Sequence, residues 1–332
     1  MKTLVTGGGG FLGRCIVERL LARGCEVCSF QRSAHADLEA RGVRVVQGSL
    51  TDRPALQAAM VGADVVFHVA AKAGVWGRKQ DFEAANVRGT QTVLECMKAL
   101  KIRDLVYTST PSVVFSGEAF EGADESLPYG CNWLCDYART KAEAESMVLG
   151  AHDGSGRRCV ALRPHLIWGP GDPHLLPRVI EAAGSGRLKQ VGDGRNRVDI
   201  TYVENAADAH LQAWDALRDG RCGGKAYFLS QGEPVMLWPW INQLLERVDE
   251  APLKRSISAR AAYIAGAIAE GLWTVLPLKG EPPMTRFVSV ELSKSHWFSI
   301  EAARRDFGYH PENHPTEAGL VAFADWWKTT QK

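Results

Sequence analysis

A phenol and an ammonium on one helix face form a proton-transfer pair, and Tyr137-Ala138-Arg139-Thr140-Lys141 supplies both. Residues at i and i+4 of a helix are surface neighbours. An isolated tyrosine titrates near pKa ~10. A neighbouring cation favours its anion, which brings proton exchange closer to neutral pH and suits a general acid or base. This spacing arises by chance in many helices, so the weight of the pair rests on its company. Upstream stands a polar strand end, Tyr107-Thr108-Ser109-Thr110-Pro111-Ser112, and before that a run of glycines.

The glycine run, Thr6-Gly7-Gly8-Gly9-Gly10-Phe11-Leu12-Gly13, follows an apolar strand and opens an amphipathic helix. A dinucleotide pyrophosphate would meet free backbone N–H groups there, at a helix N-terminus. Gly7, Gly10 and Gly13 give the spacing G-x-x-G-x-x-G, with Phe11 and Leu12 inside it. In such folds an acidic residue about 20 positions on bonds the adenosine ribose, whereas an arginine accommodates a 2′-phosphate. Here the sequence reads Phe30-Gln31-Arg32-Ser33. With no carboxylate to repel a phosphate, and with Arg32 and Ser33 able to bond it, NADP is expected in preference to NAD.

Short apolar runs at 2–5, 26–30, 44–47, 65–69, 105–108 and 159–162 alternate with helical patterns at 11–23, 54–61, 87–100 and 137–152. This alternation predicts an α/β fold, a doubly wound parallel-sheet Rossmann domain that binds ligands at the carboxyl ends of its strands. Beyond about residue 165 the regularity fades, with punctuation at Gly169-Pro170-Gly171-Asp172-Pro173 and Glu281-Pro282-Pro283. The expected organisation is an NADP-binding domain over 1–165, rejoined by segments near 196–230. A smaller mixed C-terminal lobe over 166–332 would hold the substrate. A length of 332 residues suits two lobes, on a soft prior of roughly 150 residues per domain.

Apolar residues make up 45% of the chain and charged residues 23%, and the formal charge is only +1. No global field draws nucleic acid, so no such partner is expected. The strand pattern begins at Lys2-Thr3-Leu4-Val5, which points to a cytoplasmic protein. Eight cysteines are scattered through the chain and read as free thiols. Cys25 and Cys28 invite a metal reading, but three residues apart on a strand they point to opposite faces. No metal is expected. The most apolar stretch, 259–278, is interrupted by Arg260, Glu270 and Pro277 and does not read as a membrane span. It reads first as a buried helix of the second lobe, with a lid or an interfacial anchor as the alternatives.

Glycine loop, polar strand end and Tyr/Lys helix together resemble the extended short-chain dehydrogenase/reductase superfamily. The likeness extends through Asn86-Val87-Arg88-Gly89-Thr90, Arg163-Pro164-His165-Leu166-Ile167-Trp168-Gly169-Pro170 and Arg304-Arg305-Asp306-Phe307-Gly308-Tyr309-His310-Pro311. The resemblance implies that Thr110 bonds the substrate carbonyl, that Tyr137 donates the proton and that Lys141 supports it from the nicotinamide ribose. It also implies that Ala70, Ala71, Lys72 and Asn86 line the cofactor and that Pro164 and His165 offer backbone to the nicotinamide amide. Ser49, before Leu50, stands where the family usually has aspartate, which alters the adenine contact.

Within the superfamily the chain resembles the 3β-hydroxysteroid dehydrogenase-like branch. It is most like the bacterial 2-alkyl-3-oxoalkanoate reductases of long-chain olefin synthesis. Stretches carrying this likeness include Ala70-Ala71-Lys72-Ala73-Gly74-Val75-Trp76-Gly77, Gly280-Glu281-Pro282-Pro283-Met284-Thr285-Arg286-Phe287 and His296-Trp297-Phe298. It implies NADPH-dependent reduction of the 3-keto group of a lipid-like 2-alkyl-3-oxoalkanoic acid. It also implies a homodimer and work alongside enzymes of the same pathway, while the interfacial-anchor reading of 259–278 leaves room for peripheral membrane contact. Oxidation of a 3β-hydroxysteroid or sterol-4-carboxylate is the rival reading, and a non-catalytic NADP-binding sensor is the rival from another class. Trp168, Trp238, Trp240, Trp273 and Trp297 are expected either to line an acyl tunnel or to fill a core. Lys72, Arg286 and His165 are the candidate partners for a substrate carboxylate.

Overall fold

The computed structural model describes residues 1–154, 156–276 and 278–330. Seven short runs form one parallel sheet: β1 (Lys2–Thr6), β2 (Glu26–Gln31), β3 (Arg44–Gln47), β4 (Val65–His68), β5 (Asp104–Thr108), β6 (Arg158–Pro164) and β7 (Ala226–Leu229). Parallel strands are covered on both faces and therefore read as continuous apolar runs. Val65, Val66, Phe67, Leu105, Val106, Val160, Ala161 and Leu162 are accordingly all fully buried. The spatial order is β7-β6-β5-β4-β1-β2-β3. The chain therefore reverses direction across the sheet between β1 and β4, and the crevice for a ligand opens at their carboxyl ends.

Helix α1 (Phe11–Ala22) turns Ile16, Val17 and Leu20 toward one face of the sheet, where α4 (Val203–Arg218) packs beside it. On the other face α2 (Gly89–Leu100) and α3 (Asp136–Gly150) contribute Val93, Cys96, Met97, Ala144 and Val148 to a second apolar core. Cys25 lies in the first of these cores and Cys28 in the second, on opposite faces of the sheet. The helix expected over 87–100 is regular only from Gly89, because a wider π-helical turn, Glu83–Arg88, precedes it.

A smaller mixed sheet joins Val235–Met236, Arg197–Val198, His296–Phe298 and Phe120–Ala123. Two expectations for the second lobe change here. The apolar stretch does form a helix, α5 (Ala259–Val275), yet only Ala262, Gly266, Ala269 and Glu270 of it are buried. Small residues let α5 press closely on α6 (Arg286–Glu291), and its larger side chains are left on the solvent side. Pro277 lies outside the described residues. Trp168, Trp238 and Trp240 are buried in the main core. Trp168 packs edge-on against Trp240 with ring centroids 5.5 Å apart.

One buried ion pair fastens α3 to the sheet. Arg163 on β6 grips Glu145 through two bonds of 3.0 and 2.6 Å, and the Tyr129 hydroxyl donates to the same carboxylate at 2.9 Å. Both charged side chains are almost wholly enclosed, at 5% and 0% exposure. Removing one partner strands the other charge, at a cost of about 3–5 kcal/mol. Glu145→Ala should therefore lower the unfolding free energy in urea by about that much, and a loss within ordinary surface-mutation scatter would contradict this account.

Candidate active site

The extended conformation of Thr110 and the Pro111 that follows it end the path of β5 and start a tight turn over Pro111–Val114, capped by the Thr110 hydroxyl. Thr110 Oγ1 accepts from the Ser112 N–H at 3.3 Å. Across from it, Tyr137 projects from the first turn of α3 and faces the Thr110 side chain. Burial pushes the phenol up to about 12, and the nearby Thr110 hydroxyl partly opposes that rise. The intervening Arg139 faces outward and binds Asp136, Glu143 and Glu83, so it ties the start of α3 to the π-helical turn. Tyr137 and Lys141 share the inward face, as the i, i+4 spacing requires.

Lys141 is 2% exposed. Its Nζ donates to the Tyr107 hydroxyl and to the Thr108 carbonyl, each at 2.6 Å, and lies 4.1 Å from the centroid of the Tyr107 ring. Burial lowers its pKa to about 7, while the Glu145 carboxylate one turn below pulls it upward. The structure thus gives the ammonium a partner absent from the sequence expectation, Tyr107, whose own pKa burial raises further.

Tyr107 opens a chain of buried polar groups. The Thr90 hydroxyl stands near enough to its phenol to temper the rise in its pKa. Thr90 Oγ1 donates to the Asn86 carbonyl at 2.6 Å and meets His68 Nε2 at 3.0 Å, and His68 Nδ1 meets Thr6 Oγ1 at 2.8 Å. Thr6 Oγ1 in turn accepts from the N–H groups of Val69 and Ala70 at 3.1 and 3.2 Å. Because Thr90 spends its proton on Asn86, it accepts from His68, so His68 carries its proton on Nε2. Burial lowers the His68 pKa to about 3 and keeps the ring neutral. Strand register sets the spacing, since Thr6 is paired with His68 and His68 with Tyr107 across β1, β4 and β5.

The glycine loop fits a dinucleotide. Gly7 has φ +73°, and a side chain there would press on Ala70 at 3.0–3.1 Å. At Gly13 a Cβ would stand 2.1 Å from the Gly7 carbonyl oxygen. The loop can therefore close only with glycine at both places. No side chain caps α1, so the N–H groups of its first turn, Phe11, Leu12 and Gly13, remain available to an anion. Gln31 occupies the end of β2, accepting from the Gly9 N–H at 2.5 Å and donating to the Ser33 carbonyl at 3.1 Å. Beyond it Arg32 and Ser33 are exposed, and Arg32 has no ion pair among the described residues. Exposed Ser49 bonds Thr51 at 2.9 Å, and Leu50 is half-buried behind it.

Ala70 and Ala71 follow β4 beside the glycine loop. Asn86 brackets the next residue, accepting from the Lys72 N–H at 2.7 Å and donating to the Lys72 carbonyl at 3.2 Å and to Thr140 at 3.0 Å. Its visible work is thus to hold the loop after β4 against α3. Pro164 ends β6 at the same side of the sheet. His165 corrects an expectation, because its ring is buried and its Nε2 meets His296 Nδ1 at 2.6 Å. Burial and His296 hold it well below the ordinary histidine range, so it offers no cation to a carboxylate. Arg286 is likewise taken, its Nε bonded to Glu270 at 2.6 Å. Lys72 is half-buried with its Nζ 5.1 Å from the Phe82 ring centroid and remains the free candidate.

His165, His296 and Glu291 form the trio among the described residues that could hold a metal ion. The two rings already bond each other, and His296 Nε2 meets the Glu291 carbonyl at 2.8 Å, so their lone pairs and protons are largely matched. Residues to which the sequence motifs assigned no role of their own are Thr6, His68, Thr90, Tyr107 and Ser109, whose buried Oγ has no partner among the described residues. Their signal was available as polar side chains at the carboxyl ends of strands that are otherwise apolar.

Residues 4–258 match the 3-beta hydroxysteroid dehydrogenase/isomerase family. A 2-alkyl-3-oxoalkanoate reductase of Stenotrophomonas maltophilia (strain K279a) is 51% identical over 94% of this chain and 95% of its own length. A decarboxylating sterol-4-alpha-carboxylate 3-dehydrogenase of Mus musculus is 36% identical over 93% and 86%. Among solved structures, a UDP-glucuronic acid 4-epimerase from Bacillus cereus in complex with NAD superposes with TM-score 0.76 at 24% identity, covering both chains fully, a likeness of fold.

If Tyr107 positions the ammonium, Tyr107→Phe should lower kcat about tenfold or more, as expected for a lost hydrogen bond to a charged group, with little change in KM. It should also move the alkaline limb of the kcat profile to lower pH, since the charged amine loses an acceptor. An unchanged pH profile would mean that Tyr107 only fills space.

Proposed function

Since the chain belongs to the 3-beta hydroxysteroid dehydrogenase/isomerase family, we propose that it is the NADPH-dependent reductase of a long-chain 2-alkyl-3-oxoalkanoic acid. The product is the 3-hydroxy acid, made in the cytoplasm within long-chain olefin synthesis by a homodimer that works beside enzymes of the same pathway. The observation that carries the reading is the Tyr137 phenol facing the Thr110 hydroxyl, with Lys141 buried one helical turn away on the same helix face. Strong likeness to a 2-alkyl-3-oxoalkanoate reductase along nearly the whole chain selects the substrate.

A nicotinamide cofactor, when bound, supplies the hydride. Gly7, Gly10, Phe11, Leu12 and Gly13 would hold its pyrophosphate, Arg32 and Ser33 the 2′-phosphate, and Ser49 and Leu50 the adenine end. Ala70, Ala71, Lys72, Asn86, Pro164 and His165 would flank the remainder, the last two through backbone. Tyr137 gives its proton to the alkoxide oxygen as that charge develops. A phenol held near pKa 12 stays protonated at neutral pH until then. Thr110 bonds the same oxygen. Lys141 uses two N–H groups on Tyr107 and Thr108, which leaves a third for the nicotinamide ribose. Its charge stabilises the tyrosinate left behind.

Tyr137 packs on an apolar cluster that also holds Phe115, Phe287, Val75, Leu134, Val288 and Val290. Such a wall suits alkyl chains and offers little to a sugar diphosphate. Turnover of a long-chain 2-alkyl-3-keto acid should exceed that of a 3β-hydroxysteroid, and the reverse ranking would transfer the assignment to the sterol reading. Tyr137→Phe should cut kcat about 10²–10⁴-fold while NADPH still binds by fluorescence titration, and a near-normal rate would remove Tyr137 from the mechanism. Arg32→Ala should raise KM for NADPH about tenfold or more and leave KM for NADH unchanged. Equal effects on both cofactors would refute the 2′-phosphate role.

A further inference from the structure

We propose that the outward face of α5 is a docking surface for a lipid bilayer that contains anionic lipid. The inner face of this helix is fully engaged. Gly266 lies so close to the start of α6 that a Cβ there would stand 2.7 Å from the Thr285 carbonyl carbon. Glu270, the one acid in the helix, turns inward and is bound to Arg286. The outer face presents Tyr263, Ile264, Ile268, Leu272 and Val275, continued by Leu276 and Leu278, with Ile268 at 60% and Val275 at 81% exposure. Single exposed apolar residues are ordinary, but a contiguous face of this kind marks an interaction surface.

Charge identifies the occupant. Lys254, Arg255 and Arg260 stand at the amino end of α5 and Lys279 beyond its carboxyl end. Lys189 joins the first group, because Ser256–Ile257 pairs with Gln190–Val191. All five are exposed, and among the described residues none is in an ion pair. An apolar face framed by unpaired cations, with no acid on it, fits a helix lying in the interface of an anionic membrane. A second copy of the chain docked face to face would set these cations against each other. No helix among the described residues is long and apolar enough to cross a membrane, so the contact is with the surface. The helix also backs onto the candidate site, since Phe287 of α6 meets Phe115 at 4.8 Å between ring centroids, beside Tyr137. A substrate dissolved in the bilayer would be delivered close to the chemistry.

The test is flotation of the full chain with vesicles of phosphatidylcholine alone and of phosphatidylcholine mixed with phosphatidylglycerol. It needs no turnover, so it stands or falls apart from the reductase reading. Binding is expected to the mixed vesicles, to weaken with salt and to be far weaker on the neutral ones. Ile268→Glu with Leu272→Glu, and separately Lys254→Glu with Arg255→Glu, should each weaken it at least about tenfold. These side chains face solvent, so an unchanged melting temperature verifies that the variants are folded. Failure to float with the mixed vesicles, or binding that neither pair of substitutions reduces, overturns the proposal. Sedimentation showing that the apolar pair instead dissociates an oligomer, without vesicle binding, overturns it in favour of a self-interface.

Discussion

The candidate site depends on keeping one ammonium group inside the fold. Removing a lysine from water favours its neutral form, and at Lys141 that penalty brings the pKa to about 7. The group remains useful only because acceptors wait for it, the Tyr107 phenol and the Thr108 carbonyl. Nearby, Thr90 can accept from His68 because its own proton goes to the Asn86 carbonyl. A buried polar network of this kind stabilises only when every member is satisfied.

This chain couples parts of the molecule distant in sequence. Thr6 stands immediately before the glycine loop, and its hydroxyl holds the backbone of Val69 and Ala70 at the crevice. Asn86 closes a parallel bracket between the loop after β4 and the helix that carries Tyr137 and Lys141. Glu145, one turn beyond Lys141, fixes the same helix to β6 through Arg163 and raises the affinity of the ammonium for its proton. The glycine loop and the proton-transfer pair are therefore set by one continuous arrangement of strand ends.

The second lobe answers different demands. Its tryptophans mostly fill space, and its histidine pair satisfies itself. Around Tyr137 it supplies apolar side chains, and on its outer surface it leaves an apolar helix uncovered. A lobe that is apolar both at the reacting centre and on one outward face is suited to handling a molecule that prefers lipid to water.

Local chemistry made much of this legible in the chain itself. Short continuous apolar runs located the strands of the main sheet up to β6, glycine spacing located the candidate phosphate loop, and a four-residue interval put Tyr137 and Lys141 on one face. These follow from backbone sterics and helix geometry, which act over a few residues. The partner of Lys141, the bracket made by Asn86, the burial of His165 and the exposure of α5 were decided only by tertiary structure. Each depends on which strands become neighbours, in what register, and which helix face finds a surface to cover it. Hydrogen bonds and apolar contacts between residues far apart in the chain settle those questions, and no local pattern records them.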